Sequence, residues 1–361
     1  MERKWRVAVV GATGMVGQRF VSLLADHPWF EIAVVAASAR SAGKTYEEAV
    51  ADRWAFDWPI PQNIRPLIVR DASDVEGVTS DVDFVFCAVD MKKDEIRALE
   101  DAYARSETPV VSNNSAHRGT PDVPMIVPEL NPQHADIIEY QRKRLGTKVG
   151  FVTVKPNCSI QSYVPALTAL YDLKPTRVVV STYQAISGAG KTFKRWPEMI
   201  DNVIPYIGGE EEKSEQEPLK IWGHIENGVI VPAKSPIISA HCVRVAVADG
   251  HLATCWASFE KPATKEEIIE HWRSFEGLPQ KMNLPSAPHP FLQYFEEDNR
   301  PQTHLDRDFE HGMGISLGRL RGDSLFDWRF VGLSHNTLRG AAGGAVLIAE
   351  LLCAQGYIPK K

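Results

Sequence analysis

Cys158 lies in VTVKPNCSIQSYVPALTAL, between a β-branched run that ends in Lys155-Pro156-Asn157 and an apolar pattern with helical spacing. A thiol in the first turn of a helix meets the positive end of the backbone dipoles, which favours thiolate, the reactive form. That position makes Cys158 a candidate nucleophile. Cys87 in DFVFCAV, together with Cys242, Cys255 and Cys353, is expected to pack, because free cysteine behaves as a small buried hydrophobe.

The stretch CVRVAVADGHLATCWASFE holds an arginine and a histidine that could meet a substrate. Asp249-Gly250 between two β-rich runs predicts a hairpin with a two-residue turn, in which Ala248 pairs with His251. Counting by twos puts Arg244, Ala246, Ala248, His251, Ala253 and Cys255 on one face, and Val243, Val245, Val247, Leu252, Thr254 and Trp256 on the other. Arg244 and His251 then stand roughly 13 Å apart along the strands. A short substrate could set its carboxylate at Arg244 and its reacting carbon near His251. The plainer alternative is a solvent-facing strand with stray polar residues.

A third candidate is the turn VAVVGATGMVGQRF, where Gly11, Gly14 and Gly17 follow a short strand and open a helix. The first glycine permits a sharp exit, the second lets phosphates reach backbone N–H groups, and the third allows close helix–strand packing. A dinucleotide would lie against Thr13, Met15 and Val16 as well. The next strand ends in AASARSAGK, with Ser38, Arg40 and Ser41 and no carboxylate. A guanidinium beside hydroxyls suits a 2′-phosphate, so NADP is favoured over NAD. A solvated basic loop is the alternative.

The elements needed to hold these groups are legible in outline. In the first third, strand and helix signals alternate (RVAVV, MVGQRFVSLLADH, EIAVVAAS, DFVFCAV, MKKDEIRALEDAYARS, PVVSNN), which predicts a Rossmann-like, doubly wound parallel sheet. The middle, with TRVVVSTYQAIS and the expected hairpin, predicts an α+β domain whose sheet is mixed and largely antiparallel. TKEEIIEHW opens with a capping box, Thr264 with Glu267. SHNTLRGAAGGAVLIAELLCAQG predicts one long helix returning to the first domain. The expected division is a cofactor domain over 1–157, completed by a helix over 335–361, and a catalytic domain over 158–334.

Bulk properties exclude other classes. The chain has 361 residues, 44% hydrophobic and 24% charged, with a formal charge of −6. That balance suits a globular protein and argues against nucleic acid as main partner. No apolar run is long enough to span a membrane. MERKWRVAVV enters a strand at once, so no signal peptide is expected. Five cysteines without paired spacing indicate neither a disulfide framework nor a metal site, and the chain is expected to be cytoplasmic.

The chain resembles aspartate-semialdehyde dehydrogenase of the archaeal and fungal branch. GATGMVGQRF, ASARSAGK, VSNNSAHR, VPELN, PNCS, QAISGAG, GGEEEK, CVRVAVADGH and NTLRGAAGG fall in the family's order over nearly the whole length. The resemblance implies NADP-dependent reductive dephosphorylation of L-4-aspartyl phosphate through a cysteine thioacyl intermediate, in the pathway to lysine, threonine, methionine and isoleucine. It implies Cys158 as nucleophile, His251 as acid/base and Gln184 as the residue orienting the acyl group. Arg244 would clamp the α-carboxylate and Glu210 would accept the α-ammonium, with Glu211 and Glu212 as alternative registers. Lys213, Arg118 and Asn157 would form the phosphate site. Ser187, Gly188, Asn336 and Thr337 would meet the nicotinamide half. Plainer alternatives are an i, i+3 ion pair for Glu210–Lys213 and a helix cap for Asn336. The family also implies a homodimer or homotetramer, with 158–334 as the dimerisation as well as the catalytic domain. Ile160 and Gln161 after PNCS, and KTFKRW after SGAG, depart from its pattern beside the site. Malonyl-CoA reductase on the same scaffold, the more distant N-acetylglutamyl-phosphate reductase, and a non-catalytic NADP sensor are the competing readings.

Overall fold

In the structure, a computed structural model described over residues 3–361, the site lies between two sheets. The first contains β1 (Trp5–Val10), β2 (Phe30–Ala37), β3 (Val69–Asp71), β4 (Phe84–Cys87), β5 (Val110–Ser112) and β6 (Val152–Val154). Their order is β3-β2-β1-β4-β5-β6, with every neighbouring pair parallel. Parallel strands need crossovers that cover both faces, so they are nearly continuous apolar runs. Val7–Val10 and Phe84–Cys87 are accordingly fully buried.

The strand order reverses between β1 and β4, and a doubly wound sheet opens its ligand crevice beyond the carboxyl ends at such a point. The glycine turn leaves β1 there. Gly11 has φ +83°, and a Cβ on it would lie 2.2 Å from the Ala88 carbonyl oxygen just past β4, so no side chain fits. The helix Met15–Leu24 follows. Against it packs the last helix, whose Ala345, Val346 and Ala349 share one apolar cluster with Phe20 and Val21. That helix spans Ala342–Ala354 and is shorter than expected from sequence. His335 to Ala341 form turns instead, because their polar groups are engaged by the site described below.

The second sheet is mixed and largely antiparallel. It contains β7 (Pro175–Gln184), β8 (Val203–Ile204), β11 (Ile237–Val245), β12 (His251–Phe259), β13 (Leu292–Phe295), β14 (Ile315–Gly322) and β15 (Trp328–Ser334), in the order β13-β14-β15-β12-β7-β11-β8. A separate pair, β9 (His224–Glu226) and β10 (Val229–Val231), lies outside it. The capping box at Thr264 and Glu267 is present at the start of the helix Lys265–Arg273.

The hairpin expected around Asp249-Gly250 does not form. β7 inserts between β11 and β12, parallel to the first and antiparallel to the second. Gly250 does take a positive φ of +98°, but turn chemistry is local and does not decide which strands pair. The link between β11 and β12 instead bridges the end of β7, where the Ile186 and Ser187 amides donate to the Val247 and Ala248 carbonyls at 2.9 and 3.2 Å.

The insertion rearranges the polar pair. Arg244 stands opposite Gln184, and His251 lies one residue beyond the Leu252–Tyr183 pair. Arg244, Gln184 and His251 thus sit side by side on three neighbouring strands, with the outer two backbones about 10 Å apart. The alternation itself holds: Arg244, Gln184 and His251 are buried, while Val179 and Tyr183 on the opposite face of β7 are each 36% exposed.

Candidate active site

Cys158 opens into a cavity of about 310 Å³ lined also by Asn157, Gln184, Arg244, Glu210, Lys213, Arg118, Ser187, Gly188, Asn336 and Thr337. Its Sγ lies 3.4 Å from Nε2 of His251. The structure therefore brings together every residue that the sequence pointed to around the thiol.

The elbow differs from the expected helix start. Cys158 precedes a single 3-10 turn, Ser159–Ser162, then Tyr163 leaves helical geometry at φ −137° before the short helix Val164–Thr168. Pro165, which has no N–H to donate, suits the start of that new helix. Few aligned peptides stand behind the sulfur, so the dipole contributes little. Burial raises the Cys158 thiol above its ordinary range and Glu210 adds to the effect, while Lys155, Arg118 and Arg244 offset it only in part. Burial thus works against the thiolate that the elbow alone would favour. Burial, then the charge of Arg244 and the neighbouring His335, hold His251 well below the usual imidazole range, so it is neutral.

Asn157 shapes the elbow. Its Oδ1 accepts from the Ser159 amide at 2.8 Å and hydroxyl at 2.6 Å, and its Nδ2 donates to both Glu210 oxygens at 3.0 and 3.1 Å. Of the three glutamates in GGEEEK, Glu210 points into the cavity, Glu211 accepts from the Cys242 amide, and Glu212 lines an outer cleft. Glu210 also accepts from Lys213 at 2.7 Å and Gln184 at 3.3 Å. Burial pushes its carboxyl upward, and Lys213, Asn157 and Gln184 more than offset this, so it stands below the ordinary range. Lys213 and Arg118 line both the cavity and the outer cleft of about 770 Å³, one wall of which is the helix Glu210–Ile221 that carries Lys213.

On the opposite wall, Asn336 donates to the Ser187 hydroxyl and accepts from the Gly250 amide, both at 2.8 Å. It therefore ties two loops and does not cap the last helix. Thr337 accepts from Arg19 at 3.1 Å. Gly188 leaves essential space: a Cβ there would lie 2.9 Å from Arg244 Nη1 and 3.1 Å from His251 Nε2.

A neighbouring cleft of about 600 Å³ is lined by Thr13, Gly14, Met15, Val16, Asn113, Asn114, Gly188, Gly190, Arg53 and Arg195. A Cβ on Gly14 would meet only the Gly11 carbonyl, at 3.6 Å, and otherwise fill the cleft. First-turn amides have no intrahelical partners and Gly14 supplies no side-chain cap, so they face this space, which fits a dinucleotide's phosphates. Gly17 is a packing position, its Cβ excluded at 2.1 Å by the Gly11 oxygen. Ser38 and Arg40 are exposed beyond β2 and Ser41 is buried; they lie apart from the Cys158 cavity. The Gly11 and Ala12 amides bond Ala36, which places that loop beside the glycine turn.

Sequence reasoning missed Glu217, Lys155, Arg53, Arg195 and the Ala185 peptide. Glu217 accepts from the Asn157 amide at 2.5 Å and from Arg118 at 3.0 Å, joining the elbow to the cation. The signal was available, since Glu210, Ser214 and Glu217 share one helical stripe. Arg244 Nη1 donates to the Ala185 carbonyl at 2.6 Å, and the Ala185 amide donates to His251 Nδ1 at 3.0 Å. Backbone groups such as these have no sequence signature. Among the described residues there is no cluster able to hold a metal ion and no helix long and apolar enough to cross a membrane.

A thiol, a neutral imidazole, a buried carboxylate and several fixed cations around one cavity, beside a phosphate-ready glycine turn, can bind a short anionic acyl donor and carry its acyl group on sulfur. Comparison with known proteins gives the family. Residues 6–138 match the family described as semialdehyde dehydrogenase, NAD binding domain, and 167–339 match its dimerisation domain. The aspartate-semialdehyde dehydrogenase of Methanothermobacter thermautotrophicus is 43% identical, covering 96% of this chain and 98% of that protein. That of Aspergillus fumigatus is 41% identical, covering 98% and 99%. The crystal structure of the Candida albicans aspartate-semialdehyde dehydrogenase with NADP superposes with a TM-score of 0.88 at 36% identity, covering 99% of this chain and 100% of that one.

Proposed function

The chain belongs to the aspartate-semialdehyde dehydrogenase family, and from that premise we propose how its own residues divide the reaction. It is an NADP-dependent enzyme of amino-acid biosynthesis that converts L-4-aspartyl phosphate to L-aspartate 4-semialdehyde. NADPH, when bound, supplies the hydride that reduces the acyl carbon.

Cys158 attacks that carbon and holds the acyl group as a thioester, so a hard displacement is split into two easier steps. The supporting observation is the 3.4 Å approach of Sγ to His251 Nε2 inside a cavity walled by groups of both charges. Arg244, with one nitrogen anchored on Ala185, presents its remaining N–H groups to the substrate α-carboxylate. Glu210 accepts the α-ammonium, displacing the Lys213 ion pair toward the phosphate. Lys213, Arg118 and Asn157 receive phosphate, and Gln184 orients the acyl oxygen. Thr13, Gly14, Met15 and Val16 hold the pyrophosphate, Ser187, Gly188, Asn336 and Thr337 the nicotinamide half, and Ser38, Arg40 and Ser41 the 2′-phosphate. The buried Glu210 disfavours malonyl-CoA, which has no ammonium, and a sensor has no use for the sulfur at all.

Steady-state oxidation of aspartate semialdehyde, run with and without phosphate and with each dinucleotide, tests this reading. Phosphate-dependent reduction of NADP is expected, with turnover lost in Cys158→Ala while NADP still binds. Equal or greater activity with malonyl-CoA, or turnover in Cys158→Ala, would overturn it.

The division into a cofactor unit over 1–157 with the last helix and a catalytic unit over 158–334 belongs to the same proposal, as does a cytoplasmic location. The second sheet also leaves Tyr183, Val179, Val203 and Ile237 exposed on one side, with Ile237 at 72%. A patch of this kind marks an association surface. We assign it to a homodimer. Sedimentation is expected to show a dimer or larger closed oligomer, and Ile237→Glu to weaken it; a wild-type monomer would contradict the assignment.

A further inference from the structure

We propose that Arg53 and Arg195, on two loops that meet across the dinucleotide cleft, clamp the pyrophosphate of NADP from the side opposite the glycine turn. One loop follows the first helix and β2, and the other follows β7, so the bound cofactor ties the two halves of the chain together. The inference rests on the NADP dependence above and names two contacts that the glycine turn does not supply.

The first loop is held by the helix Met15–Leu24. Gln18, 1% exposed, donates to the Thr13 carbonyl at 2.9 Å and to the Arg53 carbonyl at 3.0 Å, and it accepts from the Ala55 amide at 2.8 Å. One buried side chain thus fixes the backbone at Arg53 relative to the phosphate-ready turn. Beside it, the Arg19 guanidinium lies 4.2 Å from the centre of the Phe56 ring, and the Phe56 and Trp58 rings stack at 4.5 Å. Trp58 Nε1 donates to the Ser22 hydroxyl at 3.2 Å. Gln18, Arg19 and Ser22 share one face of the helix, and the loop lies along it.

The second loop is KTFKRW, Lys191–Trp196, the segment that departs from the family's pattern. The Arg195 and Trp196 amides both donate to the Thr192 carbonyl at 2.9 Å, and Lys191 Nζ lies 4.5 Å from the centre of the Trp196 ring. The segment therefore folds back on itself. Arg195 reaches the first loop, where its Nη2 donates to the Asp52 carbonyl at 3.2 Å, one residue from Arg53.

Both arginines line the cleft of about 600 Å³ that the first-turn amides face. Both are exposed, and among the described residues neither makes an ion pair. The cations of the neighbouring cavity are different, since Arg118 is paired with Glu217 and Lys213 with Glu210. Asp90 is the one acid on the cleft wall among the described residues. The cleft is thus net positive and suits a dianion. A guanidinium offers several N–H donors, so Arg195 can keep its bond to Asp52 and still meet phosphate oxygens. The dianionic part of a dinucleotide that lies against a glycine turn is its pyrophosphate. The 2′-phosphate falls to Ser38, Arg40 and Ser41 beyond β2.

Dinucleotide binding, measured on the full-length enzyme without turnover, tests the clamp. Trp54, Trp58 and Trp196 stand on the two loops, so intrinsic fluorescence can follow the titration. The Kd for NADP is expected to weaken about tenfold in Arg53→Gln and in Arg195→Gln, the cost of one charge-assisted contact, with the ligand-free Tm unchanged. Arg195→Lys, which keeps the charge and loses the fork, is expected to fall between wild type and Arg195→Gln. Displacement by 2′-AMP, which carries a 2′-phosphate and no pyrophosphate, is expected to be equal in wild type and variants. Trypsin cleavage after Lys194 is expected to slow when NADP saturates the wild-type enzyme. Unchanged NADP affinity in either Gln variant would overturn the inference. So would 2′-AMP affinity that falls in step with NADP, which would move the arginines to the 2′-phosphate, or cleavage indifferent to NADP. Wild-type binding of NADP belongs to the proposed function, and the clamp is read only in differences from wild type, so the two failures are distinguishable.

Discussion

Lys155 is the least expected residue near the sulfur. It is 2% exposed, and its ammonium donates to the Pro156 carbonyl. Burial, reinforced by Arg118, lowers its pKa to about 7, although Cys158 and Glu217 pull in the other direction. An unfolded lysine titrates near 10.4, so between about 7 and 10 the unfolded chain binds more protons than the native one and stability rises with pH across that window. Below it the full burial penalty remains. Lys155→Met is therefore expected to raise Tm by several degrees at slightly acidic pH, with the gain shrinking as pH rises toward 9. Thermal scans at the two extremes check this, and a gain independent of pH would contradict it. The same variant removes a charge that favours thiolate at Cys158, so iodoacetamide should alkylate it more slowly.

At the scale of elements, the end of β7 carries the greatest burden. It places Gln184 between Arg244 and His251, offers the Ala185 peptide to both, and then turns at Gly188, where added bulk meets both side chains. Gly188→Ala is expected to lower kcat/KM by about 10²-fold, the scale of a misplacement near 1 Å. NADP-free stability should change little, and unchanged kinetics would show that the loop yields freely. This element also shows where sequence legibility ends. The glycine turn and the Thr264 capping box were readable because their signals span a few consecutive residues. The alternation of β11 and β12 was readable as well, since it reports which side chains share a face. Their partner was not: Asp249-Gly250 resembles a hairpin turn whether or not a distant strand slides between its arms. Cys158 was found for a partly wrong reason. Its neighbours resemble a helix start, but Pro165 and Tyr163 break the run, and the thiol's surroundings come from six other segments of the chain.

Across the whole molecule, the first sheet delivers a phosphate-ready turn and the second a buried polar row, and Cys158 stands where the chain passes from one to the other. Such a layout has one kinetic consequence. Without phosphate, oxidation of aspartate semialdehyde must stop at the thioester, because phosphate is the acyl acceptor in the proposed reaction. The most direct measurement is a phosphate-free reaction of the enzyme with aspartate semialdehyde and NADP, followed by absorbance and by peptide mass. The expected result is a burst of one NADPH per active site and an aspartyl adduct on the peptide containing Cys158, discharged when phosphate is added. A burst with the adduct on another residue, or steady phosphate-free turnover with no adduct, would contradict the central claim that this sulfur carries the acyl group.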